Sequence, residues 1–231
     1  ERGFFGVVKV DDQGIYRTMV HGTTLHGAQA LDEDELRPAT YYAPETPIGQ
    51  IFAAHTRAGR VGAVGLGVGS VACYAWPGQH YTFYEIDPID ARLARDPDWF
   101  TFLSECAPDA DIVLGDGRLT LAEEPVDTFD ILLIDAFSSD SVPAHLLTRE
   151  AVALYLSRIK EDGVVVLHVS NRYMALEAVV ARVASDLGVP GRMQFHTIPE
   201  RGHRASSSAV VVLARNELAL ASLDAGGNWS V

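Results

Sequence analysis

The chain has 231 residues, 48% of them hydrophobic, and a formal net charge of −13; that length and apolar content fit one α/β domain with a small appendage and a substantial core. So acidic a balance argues against nucleic acid or an anionic membrane as the main partner, because phosphate binding draws on Lys and Arg. A cationic substrate fits it.

Residues 1–36 read as a small antiparallel β unit: 4–10 and 15–20 alternate apolar and polar, Asp11-Asp12-Gln13-Gly14 is a hairpin signal, and 23–29 is a third extended piece. Residues 37–231 read as the catalytic domain, opened by a short helix at 48–58. From Arg60 onward strands and helices alternate, which argues for a parallel sheet covered on both faces. Strands are expected at 61–66, 81–86, 111–114, 129–134 and 163–169. Helices are expected at 70–76, 89–94, 99–106, 118–123, 149–159 and 174–187. The segments 193–198 and 209–214 close the sheet as an antiparallel pair, giving seven strands with an antiparallel last one. The tail after Asn216 has no strong pattern and is expected to fray.

Cys73 and Cys106 fall inside expected helices without metal-type spacing. They read as buried inert thiols, with no disulfide framework, no bound metal and a reducing, cytoplasmic compartment. Residues 61–79 carry no charge, but four glycines and a closing Pro77-Gly78 make them strand, turn and short helix rather than a membrane-inserted span. No secretory signal opens the chain, and its first residue, Glu1, reads as the start of a processed chain or a fragment.

Three stations in this order carry the chemistry. Gly65, Gly67 and Gly69 let a strand turn sharply and meet a ligand without a Cβ in the way. Glu85 ends the second strand, where a carboxylate can take both ribose hydroxyls. Asp116-Gly117 ends the third, offering an acceptor to an adenine amine. Together they point to an adenosyl sulfonium cosubstrate rather than a tightly bound cofactor. Asp135 follows the apolar run Ile131-Leu132-Leu133-Ile134 at the end of the fourth strand and is the expected catalytic carboxylate. It would hold an ammonium and then accept its proton. Residues 136–143 read as a loop over the site that includes Asp140. Capping of the helix after Thr148 is the structural alternative for both acids, although Thr148 is the better cap. His168, Ser170, Asn171 and Tyr173 form a polar group at the fifth strand end, where His168 reads equally as a core histidine. His21, His26, Tyr41 and Tyr42 precede the core, and of these His26 and Tyr42 are candidate substrate contacts.

These residues resemble the spermidine synthase family of aminopropyltransferases. The resemblance rests on His21 to Gly27, Gly65-Leu66-Gly67-Val68-Gly69, Tyr84 to Pro88, Gly115 to Arg118, Asp135 to Thr148 and His168 to Tyr173. It is greatest to the branch joined to a multi-span membrane portion. It implies a methyltransferase-like fold, usually as a homodimer. The implied reaction transfers an aminopropyl group from decarboxylated S-adenosylmethionine to putrescine or a related amine, releasing methylthioadenosine. Carried over by position, Glu85 would bind ribose, Asp116 and Gly117 adenine, and Asp135 the attacking amine. The chain departs from the family pattern at Val68, where an acid is implied. It also lacks a glutamine motif near Tyr41-Tyr42 and offsets the second loop acid to Asp140. Val68 leaves open a methyltransferase using intact S-adenosylmethionine, and a non-catalytic nucleoside-binding domain is a third reading.

Overall fold

Alternating residues at the N-terminus build a small sheet that later closes over the larger one. The computed structural model describes residues 1–22, 24–32, 36–56, 59–136, 144–171, 174–198, 204–224 and 228–231. Four strands, β1 (Arg2–Gly3), β2 (Gly6–Gln13), β3 (Tyr16–His21) and β4 (Thr24–Ala30), pair antiparallel in chain order. Asp11, Asp12 and Gln13, expected as the turn, instead pair with Thr18, Arg17 and Tyr16. The reversal falls at Gly14, whose φ of +65° suits a residue without a Cβ.

The core follows as α1 (Pro47–Ala54), β5 (Arg60–Val64), β6 (His80–Glu85), α2 (Pro88–Arg95), α3 (Phe102–Cys106), β7 (Asp111–Leu114) and α4 (Gly117–Glu123). It continues as β8 (Phe129–Ile134), α5 (Arg149–Arg158), β9 (Ile159–His168), α6 (Leu176–Leu187), β10 (Gly191–His196), β11 (Ser208–Ala214) and α7 (Ala221–Asp224). The strands form one sheet in the order β10-β11-β9-β8-β5-β6-β7, parallel except where β11 runs antiparallel to both neighbours. Helices cover both faces, so the central strands read as unbroken apolar runs. Ile131 and Leu133 pack on one side with Phe52, Tyr81 and Phe83, whereas Leu132 and Ile134 pack on the other with Val152 and Tyr155. This is a methyltransferase-like, Rossmann-type sheet with a separate N-terminal sheet.

The small sheet is fastened to the core in two ways. Val8 and Met19 share an apolar cluster with Val68, Leu93, Phe100 and Phe102. Gln29 donates to Thr101 Oγ1 at 3.1 Å and accepts the Thr101 N–H at 3.0 Å.

Four sequence expectations need correction. The helix expected at 70–76 is a 3-10 turn, Ser70–Tyr74, because Pro77 pushes the residues before it toward extended backbone. The tail does not simply fray: Asn216 caps a 3-10 turn, Leu220 and Leu223 are buried, and Ser230 pairs with Met193. Cys73 and Cys106 are not free thiols but a disulfide, with Cα atoms 4.8 Å apart. The turn after the glycine segment packs on α3, which brings the two within bridging reach. The expectation of a reducing compartment, drawn from free thiols, loses its basis. Among the described residues no helix is long and apolar enough to cross a membrane, and no cluster is suited to a metal ion.

The bridge closes a loop of 33 residues. Replacing both cysteines by serine is expected to lower the free energy of unfolding by about 3–4 kcal/mol. In urea titrations a reductant should produce the same loss in the wild type and none in the variant; a wild type indifferent to reductant would contradict the bridge.

Candidate active site

Parallel pairing sets the site. Val64 lies opposite Tyr84 on one side and Ile134 on the other, so the next residues, Gly65, Glu85 and Asp135, leave three strand ends side by side. Here the chain changes direction of winding, β6 lying to one side of β5 and β8 to the other, and open α/β sheets hold ligands at such a switch. Gly65 has φ +95°, and a Cβ there would lie 2.0 Å from the Asp135 carbonyl oxygen. The β5 and β8 ends can meet this closely only with glycine at that position.

A cavity of about 300 Å³ opens over these ends. Gly65, Gly67, Glu85, Asp116, Gly117 and Asp135 all line it, as do His26 and Tyr42. Gly69 and His168 stand behind the wall. Asp140 lies outside the described residues, as do Thr23, Arg172, Tyr173 and the loop 137–143.

The Asp135 side chain is 6% exposed. Its Oδ1 accepts from His168 Nδ1 at 2.7 Å and its Oδ2 from the Tyr42 hydroxyl. Burial alone would push this carboxyl up, but the His168 ring, the Tyr42 hydroxyl and His26 more than offset it, holding the group below its ordinary value. Burial, then the Asp135 charge, drives the Tyr41 and Tyr42 hydroxyls well above theirs, so both remain donors. Tyr42 is steadied by Tyr74, whose hydroxyl donates to the Tyr42 carbonyl at 2.7 Å. Thr40, just before the tyrosine pair, sits at φ +61°, costly for a β-branched residue. It is held there by backbone bonds with residues 204 and 206.

Behind Asp135, His168 Nε2 meets Ser170 Oγ at 2.8 Å, and the Ala209 N–H donates to the same Oγ at 2.8 Å. Because the ionised Asp135 only accepts, the proton of this bond sits on Nδ1, facing Asp135, and the serine hydroxyl is placed to donate to Nε2. The order Asp-His-Ser imitates a hydrolytic triad. Ser170, however, does not line the cavity, so it orients the imidazole instead of attacking a ligand. Tyr41 lies over the His168 ring, centroids 4.5 Å apart.

Glu85, 6% exposed, accepts the Leu66 N–H at 2.9 Å on one oxygen and the Asp87 N–H at 2.8 Å on the other. Burial raises its carboxyl and these backbone donors lower it, leaving a net rise. Each oxygen keeps a lone pair for a ligand hydroxyl. Asp116 caps α4, its Oδ1 accepting the Arg118 and Leu119 N–H groups, while Oδ2 lies 3.2 Å from His145 Nε2. Thr148, as expected, caps α5 by accepting the Ala151 N–H. Asp135 is not needed there, and Asp140 lies outside the described residues.

Val68 is not a cavity residue. It is 1% exposed, and the space opposite it exists only because residue 27 is glycine: a Cβ there would lie 2.4 Å from Val68 Cγ2. Sequence reasoning missed Asp90 and His145, which both line the cavity. Asp90 carried a readable signal, an acid on the same helical face as the buried Leu93 and Ala94; His145 carried none.

No protein-family model matches the chain. It is 25% identical over 206 residues to the polyamine aminopropyltransferase of Vibrio vulnificus, an alignment covering 87% of this chain and 66% of that protein. The chain thus spans just under two thirds of that relative's length. Spermidine synthase from Thermotoga maritima superposes with a TM-score of 0.64 at 17% identity, over 93% of this chain and 75% of that one. An O-methyltransferase from Streptomyces achromogenes in complex with SAM gives 0.52 at 18% identity, over 74% and 81%. At these identities the structures speak for the fold alone. The longer superposition is too extensive to leave out the whole N-terminal sheet.

Burial, then Glu85 and Asp87, push the Asp90 carboxyl from its ordinary 3.8 up to about 7. Below the lower value both folded and unfolded chains hold the proton; above the upper one neither does, and the folded state bears the full cost. Asp90→Asn should therefore nearly match the wild type in stability near pH 4 and exceed it increasingly up to pH 7, by on the order of 4 kcal/mol. Urea unfolding across that range checks it; a difference that stays flat with pH would contradict it.

Proposed function

We propose that this protein is a polyamine aminopropyltransferase, moving an aminopropyl group from decarboxylated S-adenosylmethionine to a small diamine such as putrescine. The observation that carries the reading is the charge of the cavity. Five carboxylates line it, Glu85, Asp87, Asp90, Asp116 and Asp135, and no Lys or Arg does among the described residues. Such a wall suits a sulfonium and one or more ammonium groups. Its described lining offers no Lys or Arg to the carboxylate of intact S-adenosylmethionine. The methyltransferase reading also loses its main support, since Val68 faces the apolar cluster rather than the ligand space.

In this reading Glu85 takes the ribose hydroxyls, and Asp116 with Gly117 takes the adenine edge beside His145. Asp135 binds the acceptor's ammonium through lone pairs not used by Tyr42 and His168. A carboxylate held so low is a weak base, but the neighbouring sulfonium charge and the loss of water both acidify the ammonium. Once the proton passes to Asp135, the amine lone pair attacks the aminopropyl carbon bonded to sulfur. The nitrogen–carbon bond forms, the carbon–sulfur bond breaks, and its electron pair neutralises the sulfur, releasing methylthioadenosine. Holding both reactants in line supplies much of the acceleration. His168, fixed by Ser170, is a positioning residue for Asp135.

Calorimetry should show binding of decarboxylated S-adenosylmethionine at least about tenfold tighter than of the intact form. Preference for the intact form would replace this reading with methyl transfer, and binding of neither would favour a non-catalytic role. Asp135→Asn should lower kcat by about a hundredfold or more while leaving methylthioadenosine affinity nearly unchanged. Undiminished turnover would show that another group serves the amine.

A further inference from the structure

Beyond Asp135 the cavity has a second acidic wall, at the start of α2. Asp87 Oδ1 accepts the Ile89 N–H at 2.8 Å, but Asp87 Oδ2 has no partner. Asp90 Oδ1 has none either, and its Oδ2 stands 3.7 Å from His26 Nδ1. Both acids are 3% exposed and both line the cavity. Across from them on the N-terminal sheet, His21 Nε2 and His26 Nε2 are likewise buried and unpartnered. Burial, then the proximity of His21, brings His26 down to about 4, so at neutral pH it is uncharged and supplies no counter-ion. Buried carboxylates without partners destabilise a fold unless something outside the chain pairs with them.

The location narrows what that something is. The His26 carbonyl oxygen would lie 2.4 Å from a Cβ at Gly67, so the strand that carries His26 sits against the glycine turn. Asp87 and Asp90 reach the cavity from the start of α2, whereas Asp135 reaches it from the end of β8.

We propose that Asp87 and Asp90, with His26 opposite, form a subsite for the protonated primary amine of the donor's propyl chain. The identity of the donor rests on the function proposed above; the subsite itself rests on the unpartnered oxygens. The donor's ammonium donates to Asp87 Oδ2 and Asp90 Oδ1, and its charge keeps Asp90 ionised. Acceptance of the amine-bearing donor is thereby set by α2, since the glycine turn contributes no acid.

The test compares decarboxylated S-adenosylmethionine with methylthioadenosine, which lacks the amine, on wild type and Asp90→Asn by calorimetry. The wild type should prefer the amine-bearing nucleoside, and Asp90→Asn should cut that preference by about tenfold or more, through the donor and not through methylthioadenosine. Equal weakening of both nucleosides by Asp90→Asn, or no preference in the wild type, would overturn the subsite. If neither nucleoside binds, the proposed function fails on its own. The subsite is then read by titrating propylammonium while following the His26 ring by NMR. A shift present in the wild type and lost in Asp90→Asn upholds it, and no shift in the wild type overturns it.

Discussion

Three parallel strands held in one register, β6 against β5 against β8, are the constraint on which everything at the cavity depends. Successive side chains of a strand point to opposite faces, so slipping β8 by one residue would turn Asp135 away and exchange the residues packed in the two buried faces. The register is guarded by burial on both faces: Ile131 to Ile134 have no solvent-facing side to slip toward. It is guarded again at the tips, where the Gly65 N–H bonds the Tyr84 carbonyl at 2.9 Å and the Asp135 N–H bonds the Val64 carbonyl at 2.8 Å. The geometry of a charged site is thereby fixed by apolar packing several residues away.

The acids that line the cavity are treated differently by the fold. Asp135 is fully served by a histidine and a tyrosine, and its charge is secure. Asp87 and Asp90 are left short of partners within the chain. Proteins that retain such unsatisfied groups give up stability, and the usual return is a ligand that completes them. The N-terminal sheet makes this possible, because His21 and His26 on it roof the α2 end while Val8 and Met19 anchor it to the core. The small sheet is therefore part of the cavity wall and not an ornament of the fold.

Most of the fold was legible because its signals are local. The strands 111–114 and 129–134 lie where the apolar runs put them, and Thr148 and Asp87 cap the helices they precede. The glycine turn, Glu85, Asp116 and Asp135 could be assigned to one cavity because strand ends of a parallel sheet must converge. What escaped was set by long-range packing. Nothing in the spacing of Cys73 and Cys106 indicates that a 3-10 turn will lie on α3, and nothing near His145 indicates that it will approach Asp116. Val68 misled for a related reason: a residue within a turn at the cavity need not face the cavity, and here it is drawn to Phe100 and Phe102. The sequence left His168 open between core and site because its position has features of each: it is buried in the strand alternation and bonded to Asp135.

The pairing of Ser230 with Met193 has a consequence for self-association. Exposed sheet margins are templates on which another chain can add a strand. At the β10 margin the Met193 N–H and carbonyl are already taken by Ser230, at 2.8 and 2.9 Å, so a foreign strand would first have to displace the chain's own terminus. The opposite margin, β7, is only four residues long and begins with an aspartate that bonds His80 at 2.8 Å. One rim is blocked at its middle by a single bridge and the other is brief and charged, features that disfavour growth of the seven-stranded sheet by edge-to-edge addition.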